Sequence, residues 1–200
     1  MMHPNTKIDF ISDEIGYGVV AKKFIPKGTI TWVQDELDQV FSPQQYEKMK
    51  PASREMMDKY SFRNNAGNFI LCWDLAKYVN HSFQANCLST AYDFEVAIRD
   101  IFPGEQLTDD YGFLNVTEPF VPKDEGTERK VVFPDDLLNF HKVWDEKLEE
   151  AFFELKSVGQ PLLPLVSENI QNKIEHILKG KQKMDSILNL FYHGSQKITQ

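Results

Sequence analysis

The sequence predicts a mainly β domain with some α-helix, followed by a helical C-terminal region. Two observations lead to this prediction. Through residues 1–118, short runs rich in β-branched and aromatic residues alternate with Gly, Pro and Asn, as is typical of short strands joined by turns. From residue 135 onward, apolar residues recur every three or four positions, as on one face of a helix. The charged segment 119–134 contains three prolines and is predicted to link the two parts.

Composition and charge narrow the class of protein. A chain of 200 residues, 42% of them hydrophobic, can bury a core and is not typical of a disordered protein. The net charge of −8 counts against direct nucleic-acid binding and is compatible with a basic polypeptide partner, although acidity more often serves solubility. Only two cysteines are present, Cys72 and Cys87, too few for a disulfide scaffold or a four-cysteine zinc site.

The short length of the apolar stretches also predicts where the protein is located. The first ten residues lack the apolar segment of a signal peptide, and no run approaches 18 apolar residues. We therefore expect an intracellular, soluble protein without a membrane partner, located in the cytoplasm, or in the nucleus if the source is eukaryotic. Nothing in the sequence indicates an oligomeric state.

The first strands are predicted at residues 7–11, 19–24 and 29–33, where apolar and β-branched residues are enriched. Between the first two lies Gly16-Tyr17-Gly18. Glycine allows a positive φ or a close approach of the backbone to a ligand. Alone, Gly-x-Gly is a weak signal, because a plain β-turn explains it in most proteins.

The middle of the chain begins with a predicted helix, for which Ser42 is the N-cap and Pro43 the first residue. Pro51 should divide this helical segment into two short helices. Further strands are predicted at residues 69–73 and 91–98, both of which are apolar and flanked by turn-forming residues.

Three helices are predicted in the C-terminal region. The first begins at Asp135 or Asp136, the second ends at Gly180, and the third ends near Gly194. Their apolar stripes are typical of packing surfaces and not of a cofactor site. The stripe residues are Leu137, His141, Trp144, Leu148, Phe152 and Leu155, then Val166, Ile170, Ile174 and Ile177, then Met184, Ile187, Leu188 and Phe191.

Polar groups are unusually dense in the otherwise apolar stretch 77–87, which includes Asn80-His81-Ser82. A buried polar atom without a partner costs roughly 1–3 kcal/mol, so these groups form either a satisfied buried turn or a binding site. A hydrolase triad of Ser82, His81 and Asp74 is rejected, because Ser82 lacks the Gly-x-Ser-x-Gly frame of a nucleophile elbow.

Three motifs in order identify a family resemblance: Gly16-Tyr17-Gly18, Asn80-His81-Ser82, and Asp110-Tyr111-Gly112 preceded by Gly-Glu-Gln-Leu-Thr-Asp. With them, residues 7–115 resemble the SET-domain family of protein lysine methyltransferases. The resemblance implies a fold of short, differently oriented sheets. It also implies a knot-like topology, in which the tyrosine segment is threaded through a loop to lie beside Asn80-His81-Ser82, an exception to the usual rule against threading.

The resemblance further implies an activity, namely methyl transfer from S-adenosylmethionine to a lysine ε-amine of a protein or peptide, with S-adenosylhomocysteine as product. Tyr111 would be catalytic and face the methyl group. The residues implied to contact the cofactor are Gly16, Tyr17, Gly18, Asn80, His81 and Tyr111. Residues 42–60 would fall in a variable insert that shapes the substrate groove.

Physical chemistry indicates what such a site requires. A lysine amine is protonated at neutral pH, and burial in an apolar channel lowers its pKa. Aromatic walls would also attract a methylammonium product through cation–π interaction. Candidate wall residues, each of which is more often an ordinary core residue, are Trp32, Tyr60, Phe62 and Phe113.

The sequence departs from many relatives after the tyrosine motif, where they carry a cysteine-rich zinc-binding segment that completes the lysine channel. Here no cysteine follows Cys87, so we expect no metal site and a small form without cysteine-rich flanking segments. We predict a SET catalytic domain at 1–118 with an insert at about 35–68, a linker at 119–134 and a helical region at 135–200. The linker or the helices would then close the channel.

Other functions stay open at this point. The chain could be a catalytically inactive SET-fold module that binds proteins through its C-terminal helices. The methyl acceptor could also be a histidine side chain or a non-protein amine. Because Tyr111, Asn80 and both glycines are present, the enzyme is the favoured hypothesis.

Overall fold

The computed structural model describes residues 1–194. Its strands form four small sheets in the part that carries the motifs, and its longer helices follow. The strands are β1 (Thr6–Ser12), β2 (Gly16–Ala21), β3 (Ile30–Val33), β4 (Gln39–Phe41), β5 (Ser61–Arg63), β6 (Phe69–Leu71), β7 (Asn80–His81), β8 (Cys87–Ser89), β9 (Phe94–Ala97) and β10 (Thr108–Asp109). The α-helices are α1 (Pro43–Glu47), α2 (Pro51–Tyr60), α3 (Asp136–Glu154) and α4 (Glu168–Leu178).

Short sheets of different strand order make up the first half of the chain, as the resemblance predicted. β1 and β2 form an antiparallel hairpin, and β3, β9 and β8 form a central antiparallel sheet in that order. β4, β6 and β5 form a third sheet. β7 and β10 are parallel and far apart in sequence, which brings the Asn-His-Ser motif beside the tyrosine motif. The predicted fold class is therefore confirmed.

Local sequence signals account for several of these elements. Ser42 forms a capping box with Gln45 at the start of α1, and Pro51 is the first residue of α2. β4 and β5 were missed because three-residue strands carry no readable alternation. The prediction for β2 was shifted, since pairing with β1 begins at Gly16 and ends at Ala21.

The C-terminal helices pack against the central sheet. The apolar stripe of α3 places Phe152 against Phe94 of β9, with ring centroids 6.2 Å apart. Gln160 donates to the carbonyl of Gly28 at 2.7 Å and accepts from the amide of Ile30 at 2.9 Å. The helices and the sheet thus share one apolar core, whereas the domain boundaries given above stay predictions.

The third predicted helix is wrong. In place of a helix over 184–191, the chain forms a single 3₁₀ turn at Ile187–Leu190. Asp145 of α3 accepts hydrogen bonds from the Ser186 hydroxyl at 2.6 Å and the Ile187 amide at 2.8 Å. These bonds fix the start of the 3₁₀ turn against α3. The apolar spacing reflected burial against α3, because Ile187 is fully buried there. Within residues 1–194, no helix combines the length and apolarity needed to cross a membrane.

Candidate active site

The Asn-His-Ser segment and the tyrosine segment are joined by a dense set of hydrogen bonds. Beyond the β7–β10 pairing, the Ser82 amide donates to the Asp109 carbonyl at 2.9 Å. The side chain of Asn86, which is almost fully buried, donates to the Gln106 carbonyl at 2.6 Å and accepts from the Thr108 amide at 2.9 Å. Many hydrogen-bond partners of the polar stretch 77–87 therefore come from the tyrosine segment, at residues 106–109.

His81 is fixed as a neutral ring at this junction. Its Nδ1 accepts a hydrogen bond from the Tyr111 amide at 3.1 Å, which leaves the proton on Nε2. Burial lowers the pKa of His81 to about 4, so the ring is uncharged at neutral pH. Its Nε2 is buried and has no hydrogen-bond partner in residues 1–194. His81 thus positions Tyr111 and keeps one donor free.

Asn80 connects this junction to the glycine hairpin. Its Nδ2 donates to the Tyr17 carbonyl at 3.2 Å and to the Gln106 side-chain oxygen at 3.0 Å. A Cβ on Gly18 would lie 2.7 Å from Asn80 Nδ2 and 2.6 Å from that Gln106 oxygen, so only glycine fits there. Gly16 has a positive φ of 82°. The first two motifs therefore meet in space.

Asn80 keeps one polar atom available to a ligand. Both described bonds of its amide use the nitrogen, and among residues 1–194 its Oδ1 accepts no hydrogen bond. This free acceptor fits the ammonium of an amino-acid group such as the methionine end of S-adenosylmethionine. The His81 ring lies elsewhere, packed against Phe83 and Phe120. The ring of Tyr17, whose carbonyl accepts from Asn80, is exposed and packs edge-on against Phe10, with centroids 5.8 Å apart.

Tyr111 is held at the edge of a cavity. Its hydroxyl donates to the Val79 carbonyl at 2.7 Å. Burial, with a smaller contribution from the Asp109 carboxyl, raises the pKa of Tyr111 well above its ordinary value. The phenol therefore stays protonated at neutral pH. Its proton is donated to the Val79 carbonyl, and its oxygen can still accept a hydrogen bond.

The cavity that Tyr111 lines has a volume of about 700 Å³. Three of the four predicted wall residues also line it, namely Trp32, Tyr60 and Phe62. The rings of Trp32 and Phe62 meet edge to face, with centroids 6.0 Å apart. An aromatic cavity of this kind disfavours a charged ammonium unless a counter-charge is present.

Phe113 does not line this cavity, contrary to the prediction from sequence. It is fully buried and meets Trp144 of α3 edge to face, with ring centroids 5.9 Å apart. The reason is the 3₁₀ turn at Tyr111–Phe113, which directs Phe113 into the core against α3 while Tyr111 lines the cavity.

The segment predicted as a linker contributes to the cavity wall. Phe120 lines the cavity, and its ring lies 6.1 Å from that of Tyr111 and 5.9 Å from that of His81. Further along, Glu125 accepts hydrogen bonds from the Ser82 hydroxyl at 3.1 Å and the Phe83 amide at 2.9 Å. The linker is thus bonded directly to the Asn-His-Ser segment.

Arg129 fixes the linker from its other end. It forms ion pairs with Asp110, next to Tyr111, and with Asp136 at the start of α3, and both carboxylates are buried. A Cβ on Gly112 would lie 2.9 Å from the Asp136 Cβ and 3.0 Å from Arg129 Nη2, so this cluster explains the glycine of the third motif. In the described part of the chain, no group of three His, Cys, Asp or Glu side chains could hold a metal ion.

Several residues of the site were not identified from sequence. Gln106, Glu125 and Arg129 act on partners 7 to 43 positions away, and such contacts leave no pattern that can be read from the sequence. The two carboxyls Glu95 and Asp109 also line the cavity. Glu95 could have been noticed in the sequence, because a charged residue inside the apolar run of β9 is unusual.

Comparison with known proteins agrees with this geometry. No curated protein matches the chain significantly. The protein-family model described as "SET domain" matches residues 16–112, a span that begins at the first glycine of β2 and ends at the glycine after Tyr111. Proteins with this domain are in general methyltransferases. All three motifs lie in the matched span and meet at one junction, and the chain is a SET-domain protein.

Proposed function

We propose that the protein transfers a methyl group from S-adenosylmethionine to the ε-amine of a lysine on a protein substrate. One observation carries the proposal: Tyr111 lines the aromatic cavity, and its backbone is bonded to His81, next to the free acceptor of Asn80. The residues proposed to hold the methyl donor are therefore bonded to the tyrosine that lines the proposed acceptor cavity. An inactive interaction module would not need this junction.

Asn80, His81 and the backbone of Gly16-Tyr17-Gly18 would hold the cofactor. Asn80 Oδ1 would accept from its ammonium, while His81, whose ring packs on Tyr111 and Phe120, would act through its backbone and by positioning Tyr111. When bound, the cofactor supplies a methyl group on a sulfonium, which is the reactive part of the chemistry.

Tyr111 and the aromatic walls would position the lysine. Because the Tyr111 hydroxyl donates to the Val79 carbonyl, its oxygen is oriented to accept an N–H of the amine and so aim the nitrogen lone pair. Trp32, Phe62 and Phe120 would exclude water around the amine. The net charge of −8 favours a basic polypeptide as substrate.

Titration calorimetry with S-adenosylmethionine tests the cofactor half of this proposal. We expect binding to the wild-type protein and weaker binding to Asn80→Ala, because the variant lacks the acceptor for the ammonium. Absence of binding at millimolar cofactor would contradict the proposal and favour an interaction module.

Methyl transfer to a proteome, followed with isotope-labelled cofactor and mass spectrometry, tests the other half. We expect modified lysines with the wild-type protein and a loss of roughly 10²-fold or more in Tyr111→Phe, with cofactor affinity nearly unchanged. Tyr192→Phe is the matched control, since Tyr192 packs near Gly67 and does not line the cavity. Equal loss of transfer and of cofactor affinity in Tyr111→Phe would assign Tyr111 to the structure and not to the chemistry.

A further inference from the structure

Two buried carboxyl groups face the cavity beside Tyr111. Asp109 and Tyr111 are two positions apart on an extended stretch and both line the cavity, whereas Asp110 between them points to Arg129. Glu95 reaches the cavity from the central sheet, where it lies opposite Trp32. Glu95 is 8% exposed and Asp109 is 5% exposed.

Neither carboxyl has a cationic side chain as partner in residues 1–194. Glu95 accepts a long hydrogen bond from the Ser89 hydroxyl, at 3.3 Å. Asp109 Oδ1 is buried with no partner, and so is the indole N–H of Trp32, which lines the same cavity. Unsatisfied groups of this kind are rare in protein interiors, and here they gather at one cavity wall.

Glu95 and Asp109 line the same cavity and their buried carboxyls interact, so that one of them keeps its proton, because two neighbouring buried carboxyls do not both ionise. Burial raises the pKa of Glu95 to about 7 and raises the pKa of Asp109 well above its ordinary value. Above about pH 7 Glu95 is mostly ionised while Asp109 keeps its proton, so the pair then carries one negative charge.

The other ionisable groups around the cavity are of both signs. The cations Lys59, Arg63 and Lys77 and the acids Asp58 and Glu118 also line it, but in residues 1–194 none of these cations forms an ion pair with Glu95 or Asp109. The Met1 ammonium attracts Glu95 weakly, and Asp110 is paired with Arg129. The thiols of Cys72 and Cys87 and the Tyr111 phenol have raised pKa values and are uncharged. Glu95 and Asp109 are thus the buried carboxyls of this cavity, and neither has a cation bound to it in the described part of the chain.

We propose that the Glu95–Asp109 pair accepts the proton that the substrate ammonium must lose before methyl transfer. This inference rests on the proposed function. An N–H bond of the ammonium breaks, an O–H bond forms on the pair, and the electron pair stays on nitrogen. That electron pair then forms the N–CH₃ bond while the C–S bond of the sulfonium breaks towards sulfur.

The location of the pair suits this role for two reasons. A single negative charge in an aromatic cavity attracts the lysine ammonium, and after proton transfer both partners are neutral, as the apolar wall requires. A proton acceptor whose pKa is near the working pH is also the most effective, and such groups contribute typically 10²–10⁴-fold to a rate.

The inference can be tested without catalysis by measuring how many protons are released when a small amine binds to the protein. n-Butylammonium, which mimics the lysine side chain, is titrated by calorimetry in two buffers of different ionisation enthalpy, with S-adenosylhomocysteine present. We expect the wild-type protein to bind it with almost no net proton release. The double variant Glu95→Gln/Asp109→Asn should bind at least tenfold more weakly and release about one proton per amine bound.

The pH dependence of methyl transfer provides the second readout. We expect transfer by the double variant to fall by about 10²–10⁴-fold with cofactor affinity unchanged. Each single variant, which keeps one carboxyl, should retain intermediate activity with its pH profile shifted to lower pH, and these variants serve if the double variant does not fold. Asp93→Asn is the matched control, because Asp93 lies in the β8–β9 turn and does not line the cavity.

The results separate this inference from the proposed function. If the wild-type protein does not bind S-adenosylmethionine, the methyltransferase proposal fails. If it binds cofactor but all three carboxyl variants transfer methyl groups within a few-fold of wild type, the pair is not the proton acceptor. The same conclusion follows if n-butylammonium does not bind at millimolar concentration, or if the wild type releases a full proton.

Discussion

The two walls of the cavity differ in how firmly they are held. Asp109 and Tyr111 line one wall, and behind them the segments Asn80–Asn86 and Gln106–Tyr111 bond each other through backbone pairing and through the side chains of Asn86 and His81. The opposite wall includes the insert, where α1 buries no residue and α2 buries only Met57. We infer that the first wall is built for fixed chemistry and the second for the choice of polypeptide. Substitutions in the first wall should therefore cost both stability and turnover.

Replacing Arg129 should have the largest effect on stability. In Arg129→Met the buried carboxylates of Asp110 and Asp136 lose their cation, and we expect the free energy of unfolding to fall by about 3–5 kcal/mol. Urea denaturation measures this. Arg99→Met is the control, since Arg99 pairs with Glu105 at the surface and should contribute about 0–1 kcal/mol. Equal losses in the two variants would mean that Arg129 does not hold the linker against the site.

Asn86→Ala should be the next most damaging change. It removes both side-chain bonds to the tyrosine segment and leaves the Gln106 carbonyl and the Thr108 amide without partners, at a cost of about 2–4 kcal/mol. The amide of Thr108 should also exchange its hydrogen faster, which NMR detects. Asn65→Ala is a matched control with one exposed bond, to the Asn189 carbonyl, and should cost less than about 1 kcal/mol. Slow exchange at Thr108 in Asn86→Ala would argue against a rigid first wall.

How much of this could be predicted from sequence differs between the two walls. For the first wall, the motifs identified Asn80, His81 and Tyr111, and the glycines follow from contacts that a Cβ would prevent. The sequence could not place Arg129, because an arginine in a polar linker looks like any solvated charge until the fold brings Asp110 and Asp136 to it. For the opposite wall, only the helix signals at Ser42 and Pro51 were readable.

The same contrast explains the two errors among apolar residues. Phe113 follows the tyrosine motif directly and was predicted to share its wall, but a 3₁₀ turn reverses its direction. The segment 184–191 has helical spacing because it packs on α3, and its backbone is bonded to Asp145 instead. In both cases the apolar character predicted burial correctly, and the backbone path decided which residues are neighbours.

The buried carboxyl of Glu95 should make stability depend on pH. The folded-state pKa of Glu95 is raised to about 7 from 4.5, so the folded protein holds a proton that the unfolded chain has released. The free energy of unfolding should therefore fall as the pH rises from about 4.5 to about 7. Glu95→Gln should flatten this part of the profile, as measured by urea midpoints at several pH values. An unchanged slope in Glu95→Gln would show that the pair does not hold its proton on folding.

The smallest effect is expected for a tyrosine on the opposite wall. Tyr46 also lines the cavity, but its hydroxyl makes an exposed hydrogen bond to Asp58, at 2.6 Å. Tyr46→Phe should change the free energy of unfolding by less than about 1 kcal/mol, since an exposed bond exchanges readily with water. It should leave kcat unchanged and alter the KM for the polypeptide only a few-fold. Tyr111→Phe removes the same atom from the first wall and should lower kcat strongly, so a matching fall in kcat for Tyr46→Phe would remove the distinction between the walls.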